Sequence, residues 1–140
     1  MSERDITFAL TIRAPGHEVW SVLTNAQQMP ALWEKPHEVH LTKPEPAGIY
    51  RIGYEGGDPA DCEIIEIELG KRLRFRLKGR APEPTTIEYV LEAVDDGTHV
   101  RVLDRGYKAG ARWDTAFDEN FAGWLQMFLG IRKMLEVAQS

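Results

Sequence analysis

The sequence predicts an α+β fold: a curved antiparallel sheet of about seven strands, in the order β-α-α-β6-α, wrapped around a long C-terminal helix. Three observations carry this expectation. Ile6, Phe8, Leu10 and Ile12 alternate with Thr7, Ala9, Thr11 and Arg13, the two-residue period of a strand with one buried face. From Glu38 to about Lys108, short alternating stretches are cut by Gly, Pro and Asp at hairpin spacing. From Arg112 to Val137 there is no proline, and apolar residues recur at helical spacing.

The first strand ends near Ile12. Pro15 fits the first turn of a helix, where its missing N–H costs nothing, and Val19, Trp20, Val22 and Leu23 give that helix an apolar side. A second helical piece is expected from Ala26 to Trp33, interrupted by Pro30 and closed before Pro36. Strands follow at Glu38 to Thr42, Ile49 to Tyr54, Asp61 to Leu69, Arg72 to Leu77, Thr86 to Ala93 and His99 to Arg105. Leu69-Gly70-Lys71 and Asp95-Asp96-Gly97 are the clearest turns. In the Asp61 strand Cys62 and Ile64 share one face while Ile65, Ile67 and Leu69 share the other. That slip of parity predicts a bulge where the sheet bends.

At 100° per residue, Trp113, Phe117, Phe121, Trp124, Phe128, Ile131 and Leu135 form one stripe of the last helix, flanked by Asn120 and Met127. A long helix across a bent sheet can leave a pocket for a small molecule.

Composition narrows the function. Residues 1–140 suit a single domain, and 43% hydrophobic residues supply a core. Seventeen basic against 22 acidic residues leave a net charge of −5, which argues against nonspecific binding to nucleic acid or to an anionic membrane. The single cysteine, Cys62, cannot form an internal disulfide, so a reducing compartment is the simpler setting. With no signal-like start and no 18-residue apolar run, a cytoplasmic protein without membrane insertion is expected.

Motifs for other chemistry are lacking. There is no G-x-S-x-G, G-x-G-x-x-G, G-x-x-x-x-G-K-[ST] or H-E-x-x-H. His37 and His40 are three apart and would point to opposite strand faces, so neither metal nor cofactor is expected. Arg72, Arg74, Arg76 and Lys78 alternate with Leu73, Phe75 and Leu77, which reads as a solvated outer face paired with Glu63, Glu88 and Glu92. No catalytic residue is assigned. Were acid–base chemistry present, Asp104, Arg105 and Asp114 near the pocket mouth would be its candidates.

Several ordered pieces resemble a known superfamily. They are Ala14-Pro15 through Val19-Trp20 and Leu23-Thr24, Gly48-Ile49-Tyr50-Arg51, and Glu63-Ile64-Ile65-Glu66-Ile67 leading to Arg72-Leu73-Arg74-Phe75. Gly97-Thr98, Gly106-Tyr107, Gly123-Trp124 and Leu135-Glu136 follow. Together they resemble the SRPBCC or START-like superfamily with its helix-grip fold, and within it the activator-of-heat-shock-chaperone-ATPase homologues. The resemblance implies a pocket rather than a shared reaction. It implies a small hydrophobic ligand that is lipid-, polyketide- or sterol-like. A carrier, sensor or protective binder would use the pocket so, and a cyclase, hydrolase or isomerase would use the same space. A co-chaperone module with a role in stress response is the further alternative, less favoured because the usual companion domain is missing from the sequence. A homodimer through an exposed edge strand or helix is compatible with all of these.

The expected pocket is lined by Trp113, Phe117, Asn120, Phe121, Trp124, Met127 and Phe128 from the helix and by Tyr50, Tyr54 and Tyr89 from the sheet, with Trp33 and Tyr107 at the rim. Core packing accounts for the aromatic stripe equally well. Asn120, alone among apolar neighbours, would either orient a ligand or cap a helix that starts later.

Overall fold

In a computed structural model, residues 4–32, 35–54 and 60–138 are described, with the backbone alone for residues 26–32, 35–37, 54 and 138. The order is β1 (Arg4–Ile12), α1 (Gly16–Thr24), β2 (Asn25–Leu32), β3 (Lys35–Thr42), β4 (Ile49–Tyr54), β5 (Ala60–Glu68), β6 (Arg72–Leu77), β7 (Thr85–Val94), β8 (Gly97–Tyr107) and α2 (Ala111–Ala138). The strands form one antiparallel sheet in the order β1-β8-β7-β6-β5-β4-β3-β2. The sheet wraps around α2, which reaches both edge strands, β1 and β2.

The predicted α+β architecture therefore holds, with one correction. The second helix expected from Ala26 to Trp33 is instead the edge strand β2. Pro30 cannot donate a helical hydrogen bond, whereas an edge strand needs its ladder on one side only. The β2–β3 register shifts on both sides of Met29, so Pro30 falls in an irregular interval of the ladder. Pro15 is the N-cap of α1, one position before the helix proper.

Alternation decides which side chains enter the core. Ile6 and Ile12 of β1, Leu73 and Phe75 of β6, and Ile87 and Tyr89 of β7 are at most 1% exposed. The parity slip in β5 is realised as a register shift between Ile64 and Glu66, which leaves Ile65 without an opposite residue. Ile64 then faces the core at 1% exposure, and the strand bends around it.

Two glycines are demanded by close approach rather than by flexibility. A Cβ on Gly97 would stand 2.3 Å from the Ile12 carbonyl oxygen, where β8 starts against the end of β1. A Cβ on Gly48 would meet the Lys43 carbonyl oxygen. Beside Gly97, the buried Thr98 hydroxyl donates to the Ala14 carbonyl at 2.8 Å and ties the entry of α1 to the sheet. Gly97→Ala should therefore cost about 1–3 kcal/mol, since backbone rather than a flexible side chain must yield. Urea unfolding of the variant should show a lowered midpoint at unchanged slope.

Candidate functional site

The β1–α2 seam is fastened at its ends and open between them. At one end Arg4 of β1 donates to Asp114 in the first turn of α2 at 2.5 Å, and its guanidinium lies 4.8 Å from the centre of the Phe117 ring. A carboxylate there also suits the positive end of the helix dipole. At the other end the Arg13 backbone N–H donates to the Glu136 carboxylate at 3.0 Å. On the inner face of β1, Ile6 and Ile12 are fully covered, but Phe8 and Leu10 between them are only partly buried. Phe8 meets Phe121 at 6.2 Å and Phe128 at 5.9 Å between ring centres, and Phe117 stacks on Phe121 at 6.3 Å. Phe117 and Phe121 are likewise half-buried, so an apolar, aromatic strip stays open in the middle of the seam.

Beneath this strip lies a polar hub. Asp104 of β8 is fully buried, and its Oδ2 accepts from the Tyr107 hydroxyl at 2.5 Å and from the Trp124 indole N–H at 2.9 Å. Asn120, 3% exposed, donates to the Tyr107 hydroxyl and to the Arg80 carbonyl, both at 2.8 Å. The hub thus joins α2, β8 and the loop between β6 and β7. Burial pushes the Asp104 carboxyl above its ordinary value of 3.8, opposed by the bonds from Tyr107, Trp124 and Thr85. Its Oδ1 has no hydrogen bond of normal geometry among the described residues. Burial and the neighbouring carboxylate likewise raise the Tyr107 hydroxyl well above the ordinary tyrosine value, so it stays protonated and donates.

Ten of the twelve residues expected in the pocket are described with their side chains, and the structure brings them into one continuous aromatic layer. Tyr89 touches Phe75, Trp124 and Phe128 with ring centres 5.5 to 6.1 Å apart, and Tyr50 meets Phe75 at 4.7 Å while its hydroxyl donates to the Leu23 carbonyl. Met127, Trp124 and Phe128 are buried, as is Trp113. Tyr107 is not at the rim: it is fully covered, its ring set edge-on to Trp113 and Phe117, because β8 runs two residues past Arg105 and carries it under α2. Asn120 does not cap a late-starting helix, since α2 begins at Ala111. Trp33 and the side chain of Tyr54 lie outside the described residues.

Asp104, Arg105 and Asp114 do not form one acid–base group. Adjacent strand residues face opposite sides, so Asp104 points into the core and Arg105 to the outer face, and Asp114 is held by Arg4 at the surface. Phe8 and Leu10, which the sequence reading kept as a plain buried strand face, belong to the open strip instead. Their inward parity was legible; that α2 leaves them partly uncovered was not.

The basic face of β6 is paired as expected with Glu63, but its other main partner is Glu66 rather than Glu92, because the β5 bulge sets Glu66 opposite Arg74, and Glu88 only approaches Arg72. Arg76 meets Glu63 and Arg74 meets Glu66, each at 2.7 Å, and Arg72 meets Glu66 at 2.8 Å. Burial pushes the Cys62 thiol up to about 12, which suits a small core residue rather than a nucleophile. Among the described residues no three His, Cys, Asp or Glu side chains gather to hold a metal, and no helix is long and apolar enough to cross a membrane.

Removing the hub carboxyl should be costly. Asp104→Ala leaves the buried Tyr107 hydroxyl and Trp124 N–H without an acceptor, so a loss of about 3 kcal/mol or more is expected, whereas Asp104→Asn keeps an acceptor oxygen and should lose less. The pH dependence has a definite sign. Because the folded state holds the Asp104 proton more tightly than the unfolded chain, this group's contribution is fully present below 3.8 and is lost as pH rises through the raised folded value. Denaturant titrations across that window should show the wild type gaining on Asp104→Asn as pH falls.

A family model described as "Activator of Hsp90 ATPase homolog 1-like protein" matches residues 13–136. No curated protein matches the chain by sequence. Among solved structures, the chain is similar to the Aha1 dimer from Colwellia psychrerythraea, with a TM-score of 0.73 at 18% identity over 98% of this chain and 99% of that one. It is similar to protein MLL2253 from Mesorhizobium loti, with a TM-score of 0.71 at 22% identity, covering 95% and 97%. DynU16, a protein of the dynemicin biosynthetic locus, gives a TM-score of 0.71 at 23% identity over 96% of this chain and 48% of that one. These likenesses show the fold, and the family match, which spans residues 13–136, shows that the chain belongs to the family of Activator of Hsp90 ATPase homolog 1-like proteins.

Proposed function

We propose that this protein is a single-domain binder of a small hydrophobic molecule, lipid-, polyketide- or sterol-like, held between α2 and the sheet and entering along the β1–α2 seam. The observation that carries this reading is the open middle of that seam. Phe8 and Leu10 sit on the inner face of β1 yet stay partly exposed, facing the half-buried Phe117 and Phe121, while ion pairing and a hydrogen bond fasten both ends. An uncovered inner strand face lined by aromatics is apolar surface that a ligand would remove from water at about 25 cal/mol per Å². The buried layer of Trp124, Met127, Phe128 and Tyr89 continues inward from that strip, and Met127 is the side chain best able to change rotamer around a ligand. Asn120 commits its amide hydrogens to Arg80 and Tyr107, so it shapes the wall rather than orienting a ligand. Carriage, sensing or protection in the cytoplasm would all use this arrangement.

The family name favours a second reading, a co-chaperone module whose partner covers the same seam. A homodimer like that of the Colwellia relative would instead use an exposed helix or strand face; Leu129, Met134 and Val137 are the exposed apolar residues near the end of α2.

Native mass spectrometry of freshly purified protein, compared with its denatured mass, separates these readings. A reproducible extra mass supports the ligand. Its absence, together with stimulation of an Hsp90-type ATPase, supports the co-chaperone, and a doubled native mass reports the dimer. For the ligand reading, Phe121→Ala should weaken binding of a hydrophobic fluorescent dye about tenfold, the effect of uncovering roughly 50 Å² of apolar contact. The same variant should unfold less readily than Trp124→Ala, for which a loss of about 3–5 kcal/mol is expected. Equal dye binding by Phe121→Ala and wild type would overturn the seam as the entry.

A further inference from the structure

The sheet has two edges, and only one of them is blunted. β2, at one end of the strand order, contains Pro30 and slips twice against β3, which suits an edge that is not to be extended. β1, at the other end, keeps an unbroken register with β8 from Asp5 to Ile12 and holds no proline, lysine or bulge over that length. Its free side is therefore a regular row of backbone N–H and C=O groups, a template that takes up another strand. The outward side chains Thr7, Ala9 and Thr11 are small and exposed, so nothing bulky on the outer face shields the row.

The residues of β1 are complementary to themselves. Opposite residues of an antiparallel pair share a face, so two β1 strands with Ala9 on a twofold axis set Thr7 opposite the partner's Thr11 and Phe8 opposite the partner's Leu10. Asp5 then stands opposite the partner's Arg13. Moving the axis by one residue sets Asp5 opposite Thr11 or Pro15 instead. Within one chain Asp5 and Arg13 are separated by roughly 26 Å of extended strand and cannot meet. Both are exposed, and neither side chain makes an ion pair among the described residues. Arg4 beside Asp5 is engaged by Asp114, and Glu136 accepts from the backbone N–H of Arg13. Arg105 stands opposite Asp5 across the β8 ladder, so the row Arg105, Asp5 and the partner's Arg13 alternates in sign.

An apolar margin accompanies this edge. Glu136 reaches β1 from one flank of α2, and at 100° per residue Leu125 and Leu129 point within about 20° of it. Leu125 is half-buried and Leu129 is 41% exposed, so Phe8, Leu10, Leu125 and Leu129 stay incompletely covered on the side of the free edge. A twofold pairing brings the same set from the partner against them, an isologous contact that takes both sets out of water.

We propose that β1 is a homodimerisation edge. Two copies of this chain pair antiparallel through β1 about an axis at Ala9, joining two sheets into one, with Asp5 of each copy against Arg13 of the other. This goes beyond the binding reading above and does not rest on it.

Sedimentation of the full-length protein over a concentration series reads the assembly without added ligand, and a concentration-dependent dimer is expected. Arg13→Asp and Asp5→Arg each set like charges opposite one another at two places, so either alone should weaken the dimer about tenfold or more. An equimolar mixture of the two variants should recover a dimer, because the mixed pair has opposite charges at both places. That recovery controls for whatever each substitution does beside Arg105 or Glu136 in its own chain. Ala9→Cys should cross-link under mild oxidation, since opposite residues of an antiparallel pair bring their Cα atoms to about 4.5–5.5 Å, within disulfide reach. Thr11→Cys should not, because its two copies lie roughly 13 Å apart along the strands. Cys62 is buried and takes no part. Monomer at every concentration, a dimer indifferent to both charge reversals, no recovery in the mixture, or equal cross-linking at positions 9 and 11 would overturn the proposal. Failure of the pairing leaves the hydrophobic site standing, and failure of dye binding leaves the pairing.

Discussion

The buried carboxyl of Asp104 is the interaction on which closure of the fold depends. A charge-bearing group without a cation partner is expensive in an apolar interior, and it is tolerated here because the Tyr107 hydroxyl and the Trp124 indole N–H both terminate on one of its oxygens. Those two donors come from different elements, β8 and α2. The helix is therefore not held on the sheet by apolar contact alone, which is non-directional and would tolerate sliding. The hub sets one rotation and one height of α2 against β8, and Asn120 extends that setting to the loop that carries Arg80.

With α2 fixed at the hub, the two sides of the helix become unequal. Toward the middle of the sheet, Trp124, Phe128 and Tyr89 pack edge to face and fill the concave surface. Toward β1 the helix is fastened by Arg4 and by the Arg13 backbone, and between these points the inner face of β1 stays incompletely covered. Phe8 still meets Phe121 and Phe128 there, so the middle of the seam is touched but not sealed.

Much of this was legible in the residues. The alternation of β1 and of β4 to β8, the turns at Gly70 and Asp96, the bulge beside Ile64 and the extent of α2 all follow from periods of two or 3.6 that span only a few residues. The outward basic face of β6 and its pairing with Glu63 were legible for the same reason, whereas Glu66 became a partner only through the β5 bulge. The stretch around Pro30 was not. Its composition breaks a helix without favouring a strand, and pairing with β3 settled the matter. Tyr107 carries no local sign of burial, because what covers it is Trp113 and Phe117 from the next element.

By itself, then, the sequence determined which residues turn inward, where the chain bends and what kind of layer the helix presents, since these are properties of neighbours along the chain. The tertiary structure decided which inward residues are sealed and which stay open, and which charged groups find partners. Arg4 reaches Asp114 across 110 positions, Asn120 reaches Arg80 across 40, and Arg105 finds no partner among the described residues although Asp5 stands opposite. Such outcomes depend on which distant elements meet in space and how closely, a quantity that no local period in the chain encodes.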